Sequence, residues 1–317
     1  MKYYFAPMEG ITNYIYRNSH HCLYKGIDQY YMPFIAPHHH HHLKTRETSD
    51  IYPAHNQDIN VVPQILSNNA DDVIYTLKQL NELGYQEVNI NLGCPSPTVT
   101  KKHKGSAMLD DLDNLDDYLK AIFQAQLPIK ISIKTRIGYQ DTSCLEALIK
   151  LYNKYPIDKL IVHPRTGIQM YKGTVDLAAF EAFYQHSTIP LVYNGDLKCI
   201  ADIKSIEEHY PQLEGIMVGR GLIARPYLID EYVTGNQETL EHFKKFHDQL
   251  ESGLIETLKH EKDILFKLKE LWAHMYVMFN DSKKPLKHIR KAQNLEDYHK
   301  ALDEMLDCGI NNNDDEF

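Results

Sequence analysis

Five cysteines are spread through the chain, and one differs from the rest in its setting: Cys94 lies between Gly93 and Pro95 in Asn91-Leu92-Gly93-Cys94-Pro95-Ser96, directly after an apolar run. Loops that follow strands are where reactive side chains collect, and a thiol with an ordinary pKa near ~8.5 stays mostly protonated at neutral pH. Such a thiol can donate a proton without special tuning. Cys22, Cys144 and Cys199 sit in helical patterns or beside apolar residues and read as small buried hydrophobes. An odd number of cysteines without a C-x-x-C pair argues against a disulfide framework and against a cysteine-type zinc site.

Other polar residues fall at the ends of apolar, β-branched runs. They are Glu9 after Pro7-Met8, Gln64, Asn91, Lys134 followed by Arg136, His163, Asn194-Gly195-Asp196 and Gly219-Arg220-Gly221. Any one of these could be a satisfied core group. One at nearly every run end is hard to explain as packing, because burying so many donors and acceptors without a ligand is costly. Gly219-Arg220-Gly221-Leu222-Ile223-Ala224 also fits the dinucleotide pattern G-x-G-x-x-A. That fingerprint should open a first β-α unit, with an acidic residue about twenty positions on. Here it closes the last unit. Glycines in that place let backbone N–H groups approach a phosphate, which points to a phosphorylated mononucleotide.

The elements that must position these groups alternate between strand and helix. Strands are predicted over residues 3–6, 29–32, 61–65, 87–91, 130–134, 159–163, 191–194 and 215–219, with amphipathic crossovers such as 70–83, 112–124, 145–155 and 200–209. A doubly wound open sheet uses the same alphabet, but eight units in this length favour a closed α/β barrel, the (β/α)8 TIM barrel, with its site at the carboxyl ends of the strands. After Pro226 the strand signal stops. Residues 239–259, 262–279 and 295–306 are predicted helices, and Asp281-Ser282-Lys283-Lys284-Pro285 reads as a connection between two of them because Pro285 cannot continue the preceding helix. This gives two expected domains, a barrel over 1–235 and a helical domain over 236–317 ending in an acidic disordered tail.

The net charge of −9 runs against a nucleic-acid partner, so such a partner must be met by local surface. From Lys262 to Lys291 there are eight basic residues against three acidic ones. Residues 38–42 are five consecutive histidines, read as an exposed mobile loop and not as a metal site, because adjacent loop histidines diverge. No run approaches the roughly 18 apolar residues of a membrane span, and the first residues carry no secretory pattern, so the cytoplasm is the expected location.

Taken in order, Pro7-Met8-Glu9-Gly10, Asn91 to Ser96, Lys104-Gly105-Ser106-Ala107, Lys134-Thr135-Arg136, His163-Pro164-Arg165-Thr166, Asn194-Gly195-Asp196 and Gly219-Arg220-Gly221 resemble the tRNA-dihydrouridine synthases across the whole barrel. Pro164, Tyr193 and Leu177 depart from the common family pattern. The resemblance implies FMN as cofactor, lined by Pro7, Met8 and Glu9. Gln64 would meet its pyrimidine edge, Lys134 and His163 the side where negative charge collects, and Asn194, Gly195, Asp196, Gly219 and Arg220 its ribityl chain and phosphate. It also implies NADPH as hydride source, tRNA as partner with no protein partner required, and Cys94 as the acid that protonates C5 of uracil while hydride reaches C6. Asn91, Lys101, Lys104, Arg136, Lys287 and Arg290 would contact the substrate. A flavin barrel acting on a free pyrimidine or other small molecule, and a non-catalytic RNA-binding protein, are the alternatives. The basic tail disfavours the first and the strand-end constellation the second.

Overall fold

The computed structural model describes residues 1–37 and 43–311. The histidine run and the acidic end of the chain lie outside the described residues. Eight strands, β1 (Lys2–Phe5), β2 (Gln29–Ile35), β3 (Val61–Ile65), β4 (Glu87–Leu92), β5 (Lys130–Arg136), β6 (Leu160–His163), β7 (Leu191–Tyr193) and β8 (Gly215–Val218), pair in sequence order, all parallel. The barrel closes where β8 meets β1, with Lys2 opposite Gly215 and Phe5 opposite Val218. The register of β2 on β3 slips between Tyr31 and Phe34, at Pro33, which has no N–H to give the ladder.

Period-two alternation decides which side chains enter the lumen. Along β4, Val88, Ile90 and Leu92 join the apolar layer under the outer helices, while Glu87, Asn89 and Asn91 turn inward and bond to one another's neighbours. The same alternation carries Lys134, His163 and Asn194 inward at the carboxyl ends of β5, β6 and β7. The lumen has two halves. Tyr4, Ala6, Tyr31, Val62, Ile161, Val192 and Met217 form an apolar cluster separate from the main core. Across from it, Gln64, Asn89, Asn91, Ser132 and Glu87 are buried and hydrogen-bonded.

Crossover helices begin where capping side chains allow. Asn69 Oδ1 accepts from the Asp72 N–H to start Ala70–Glu82, and Asp111 Oδ1 accepts from the Asn114 N–H to start Leu112–Gln124. Beyond the barrel come four helices, Leu240–Thr257, Glu261–Met275, Lys283–Lys291 and Leu295–Leu306. The first packs against Tyr14–Leu23 of the barrel, with the Phe246 ring edge-on to Tyr16 and Gly253 so close that a Cβ there would sit 2.6 Å from Ile15. Trp272 Nε1 donates to Tyr298 Oη at 2.7 Å and binds the later helices together.

Two expectations are corrected. The connection expected over Asp281 to Pro285 falls on Asp281, with φ 44°, and Ser282, but Pro285 already lies in the first turn of a helix the pattern did not show, Lys283–Lys291, where the missing N–H has no intrahelical acceptor to lose. Cys22 is exposed and Cys144 and Cys199 are only partly covered, because the last two precede helices as cap residues and Cys22 lies on the outer side of its helix.

Candidate active site

At the carboxyl end of the barrel a cleft of about 390 Å³ opens between β1, β5 to β8 and the C-terminal helices. Of the expected cofactor residues, Pro7, Met8, Lys134, His163, Asn194, Gly195, Asp196, Gly219 and Arg220 line it together. A Cβ at Gly219 would be tight against Ala6 Cβ, at 3.3 Å, and in ordinary contact with Met8 Sδ, at 3.5 Å.

The electrostatics are those of an anion receptor. Lys134 has no hydrogen-bond or ion-pair partner among the described residues, and burial, reinforced by Arg136, lowers its pKa to about 7. His163 is pushed well below its usual range by burial first and then by Arg136, Lys134, Arg165 and Arg220, so it is neutral. Arg165 approaches His163 Nε2 at 3.2 Å. A guanidinium can only donate, so Nε2 accepts and the ring proton sits on Nδ1. Among the described residues the one acid on the cleft wall is Asp196, held at φ 43° and bridging Arg165 and Arg220. Asp196 is therefore committed to orienting arginines, with Arg220 in turn stacked 4.6 Å from the Tyr171 ring centroid.

Cys94 does not line the cleft but stands beside it. Its N–H and that of Gly93 donate to Asn91 Oδ1 at 2.8 and 3.0 Å, and its carbonyl accepts from both the N–H and the hydroxyl of Ser106, each at 3.0 Å. The turn that brings Ser106 there requires Gly105, with φ 62° and a Cβ position only 2.6 Å from the Cys94 oxygen. Burial raises the Cys94 pKa, opposed by the Ser96 N–H, Arg136 and Lys134, so the thiol is protonated at neutral pH.

The remaining site residues separate. Gln64 is enclosed between Asn89 and Asn91 and does not reach the cleft wall. Glu9 is exposed at the rim and pairs with Arg46 at 2.6 Å. Arg136, expected at the substrate, is 1% exposed and donates to the carbonyls of Gly93, Thr166 and Met170, each at 2.8 Å. It braces the Cys94 loop to the loop after β6. Lys101 is exposed beyond that loop and Lys104 is half-buried, its pKa lowered by burial. Lys287 and Arg290 are exposed on Lys283–Lys291, away from the cleft lining. Two basic residues of Glu261–Met275 are already engaged, Lys267 with Gly10 O and Glu270, Lys269 with Ala292 O.

Several lining groups carried no clear signal in the sequence. Tyr171 comes from the loop after β6, and Ala273, His274, Tyr276 and Val277 come from the end of Glu261–Met275 and the 3-10 turn that follows. Arg165 stood inside a noticed motif, two residues from His163, but only the folded loop turns it back onto that ring.

An eight-stranded parallel barrel with a cationic cleft at its carboxyl end defines a ligand-binding (β/α)8 protein. The family model described as dihydrouridine synthase (Dus) matches residues 4–315, and the chain belongs to that family. It is 28% identical over 227 residues to tRNA-dihydrouridine synthase B of Pasteurella multocida, covering 71% of this chain and 67% of that protein. It is also 28% identical over 260 residues to tRNA-dihydrouridine synthase B of Shewanella oneidensis, covering 77% and 79%. Among solved structures, morphinone reductase superimposes with a TM-score of 0.54 at 8% identity, covering 74% of this chain and 86% of that one, which is a likeness of fold.

Proposed function

We propose that the protein reduces uridines in tRNA to 5,6-dihydrouridine. The observation that carries this reading is the pairing of an anion-receptive cleft with a protonated thiol on the adjoining loop, tied together through Arg136. FMN suits the cleft. Pro7 and Met8 would lie along the ring, Lys134 and neutral His163 beside its N1 and O2 edge, and Asn194, Gly195, Gly219 and Arg220 along the ribityl phosphate. Bound there and first reduced by NADPH, the flavin would supply the hydride for C6 of uracil.

The rest is the work of the chain's own groups. Lys134, uncompensated by any described acid, is preorganised toward negative charge, which no water has to reorient to stabilise. Cys94, kept protonated by burial, gives its proton to C5. Arg136 and Ser106 hold the loop that carries it. Residues 1–235 form the catalytic unit in this reading. Residues 236–317 form the tRNA-binding unit, and exposed Lys287 and Arg290, with Lys101 and Lys104 near the thiol, contact phosphates. The setting is cytoplasmic.

The test is to incubate the purified protein with NADPH and unmodified tRNA and to digest the product to nucleosides. Uridine heavier by two hydrogens is the expected outcome, and its absence with a flavin-loaded preparation refutes the reading.

A further inference from the structure

A line of hydrogen bonds runs the length of the polar half of the lumen, and each is donated in the same direction. The Cys94 N–H donates to Asn91 Oδ1 (2.8 Å), Asn91 Nδ2 to Gln64 Oε1 (2.8 Å), and Gln64 Nε2 to Asn89 Oδ1 (2.7 Å). Asn89 Nδ2 then donates to Ser132 Oγ (3.0 Å), and Ser132 Oγ to Glu87 Oε1 (2.7 Å). The line ends on a carboxylate whose other oxygen accepts from Lys159 Nζ at 2.7 Å. Every side chain from Asn91 to Glu87 is buried.

The direction is set alike at both ends, since the N–H groups of Gly93 and Cys94 can only donate and fix the Asn91 oxygen toward them. An ionised carboxylate can only accept, so the single proton of Ser132 is turned toward it, leaving the Ser132 lone pairs to the Asn89 amide nitrogen. That turns the Asn89 oxygen to Gln64 and the Gln64 oxygen to Asn91. Asn91 is left presenting an oxygen, and not an amino group, to the backbone N–H groups of Gly93 and Cys94. Away from water such a chain is polarised along its length and a reversed link would leave donors facing donors. Amide nitrogens do not take up protons in this range, so the chain transmits orientation and not protons.

We infer that the Glu87–Lys159 pair, at the far end of the barrel from the catalytic loop, is a positioning device that fixes how Asn91 holds Cys94, with Ser132 and Asn89 as its intermediate positioning residues. Its bearing on turnover rests on Cys94 being the acid of the proposed reaction; its bearing on the loop does not.

The experiment compares the rate of iodoacetamide alkylation of Cys94, read on its own peptide by mass spectrometry at fixed pH, with thermal unfolding and flavin content. In Ser132→Ala the loop loosens, the thiol loses the burial that raises its pKa and shields it, and alkylation is several-fold faster. Flavin content is unchanged, and kcat for tRNA falls with KM unaltered. Tyr118→Phe, which deletes a buried bond to the Ser67 carbonyl outside the chain, lowers the unfolding temperature without changing Cys94. Lys159→Met, which removes the ion-pair partner that holds the Glu87 carboxylate, gives the same acceleration to a smaller degree and serves if Ser132→Ala does not fold. An unchanged Cys94 rate in both chain variants, with stability lowered as in Tyr118→Phe, overturns the inference. Faster alkylation in a protein whose wild type leaves uridine intact supports the positioning role and refutes the reaction instead.

Discussion

The two halves of the barrel lumen are built from strands of the same kind, yet they do different work. On one side Ala6, Val62, Ile161, Val192 and Met217 pack as aliphatic groups against the rings of Tyr4 and Tyr31. Any of several aliphatic residues of similar volume could serve there, because dispersion and burial carry little direction. On the other side Gln64, Asn89, Asn91 and Ser132 each satisfy a neighbour in one geometry only. Hydrogen bonds contribute modest net stability but strong orientation. The apolar half holds the barrel together, and the polar half determines how its open end is arranged. The cleft opens over Ala6 and Met217 of the apolar half, and Lys134 on its wall has no hydrogen-bond or ion-pair partner among the described residues.

The most severe test removes the group that the polar half delivers. Cys94→Ala is expected to lower tRNA reduction by roughly 10² to 10⁴, the usual worth of a positioned general acid, while flavin absorbance of the purified protein is retained. Loss of bound flavin in that variant would give Cys94 a structural role instead. On the apolar side, Ile161→Ala should destabilise by about 2–5 kcal/mol in denaturant unfolding, leaving the alkylation rate of Cys94 in the folded protein unchanged. A changed thiol reactivity there would erase the distinction between the halves.

Away from the lumen, Lys287→Glu with Arg290→Glu should raise KM for tRNA roughly tenfold and flatten its salt dependence, because two phosphate contacts are lost. Flavin binding should not change. An unaltered KM would move the RNA-facing surface elsewhere.

The smallest effect is in proton balance. The Lys134 pKa is lowered to about 7, so without ligand the folded protein binds fewer protons than the unfolded chain between about pH 7 and the ordinary lysine value. This group therefore makes stability rise with pH across that window and contributes its full penalty below it. A bound anion reverses the shift, so FMN binding at mildly alkaline pH should take up a fraction of a proton, read by calorimetry in buffers of different ionisation heat. Lys134→Met should abolish most of that uptake.

Much of this was legible in the linear chain because strand and helix periods are local. The short β-branched runs along 87–91 and 130–134 gave both strands, with Asn91 and Lys134 at their carboxyl ends. Leu112–Gln124 and Ile200–His209 begin and end where their patterns do. Pro285 misled because the rule against proline in a helix does not apply to the first turn, and sequence alone did not show where that turn began. Arg136 misled for another reason: a basic residue beside a catalytic motif looks free until the carbonyls of Thr166 and Met170 fold over it.

By itself, then, the sequence determined the barrel, the strand ends that would carry polar groups and the thiol worth watching, since each follows from neighbours within a few residues. Only the tertiary structure decided which of those groups are exposed to a ligand and which are already satisfied, because a hydrogen bond between β3 and β4 or a helix returning over the cleft joins residues far apart in the chain. It decided that Lys134 has no described partner while Gln64 has two, that Asp196 serves arginines, and that His274 and Tyr276 join a cleft lined mainly by the barrel's strand ends and loops.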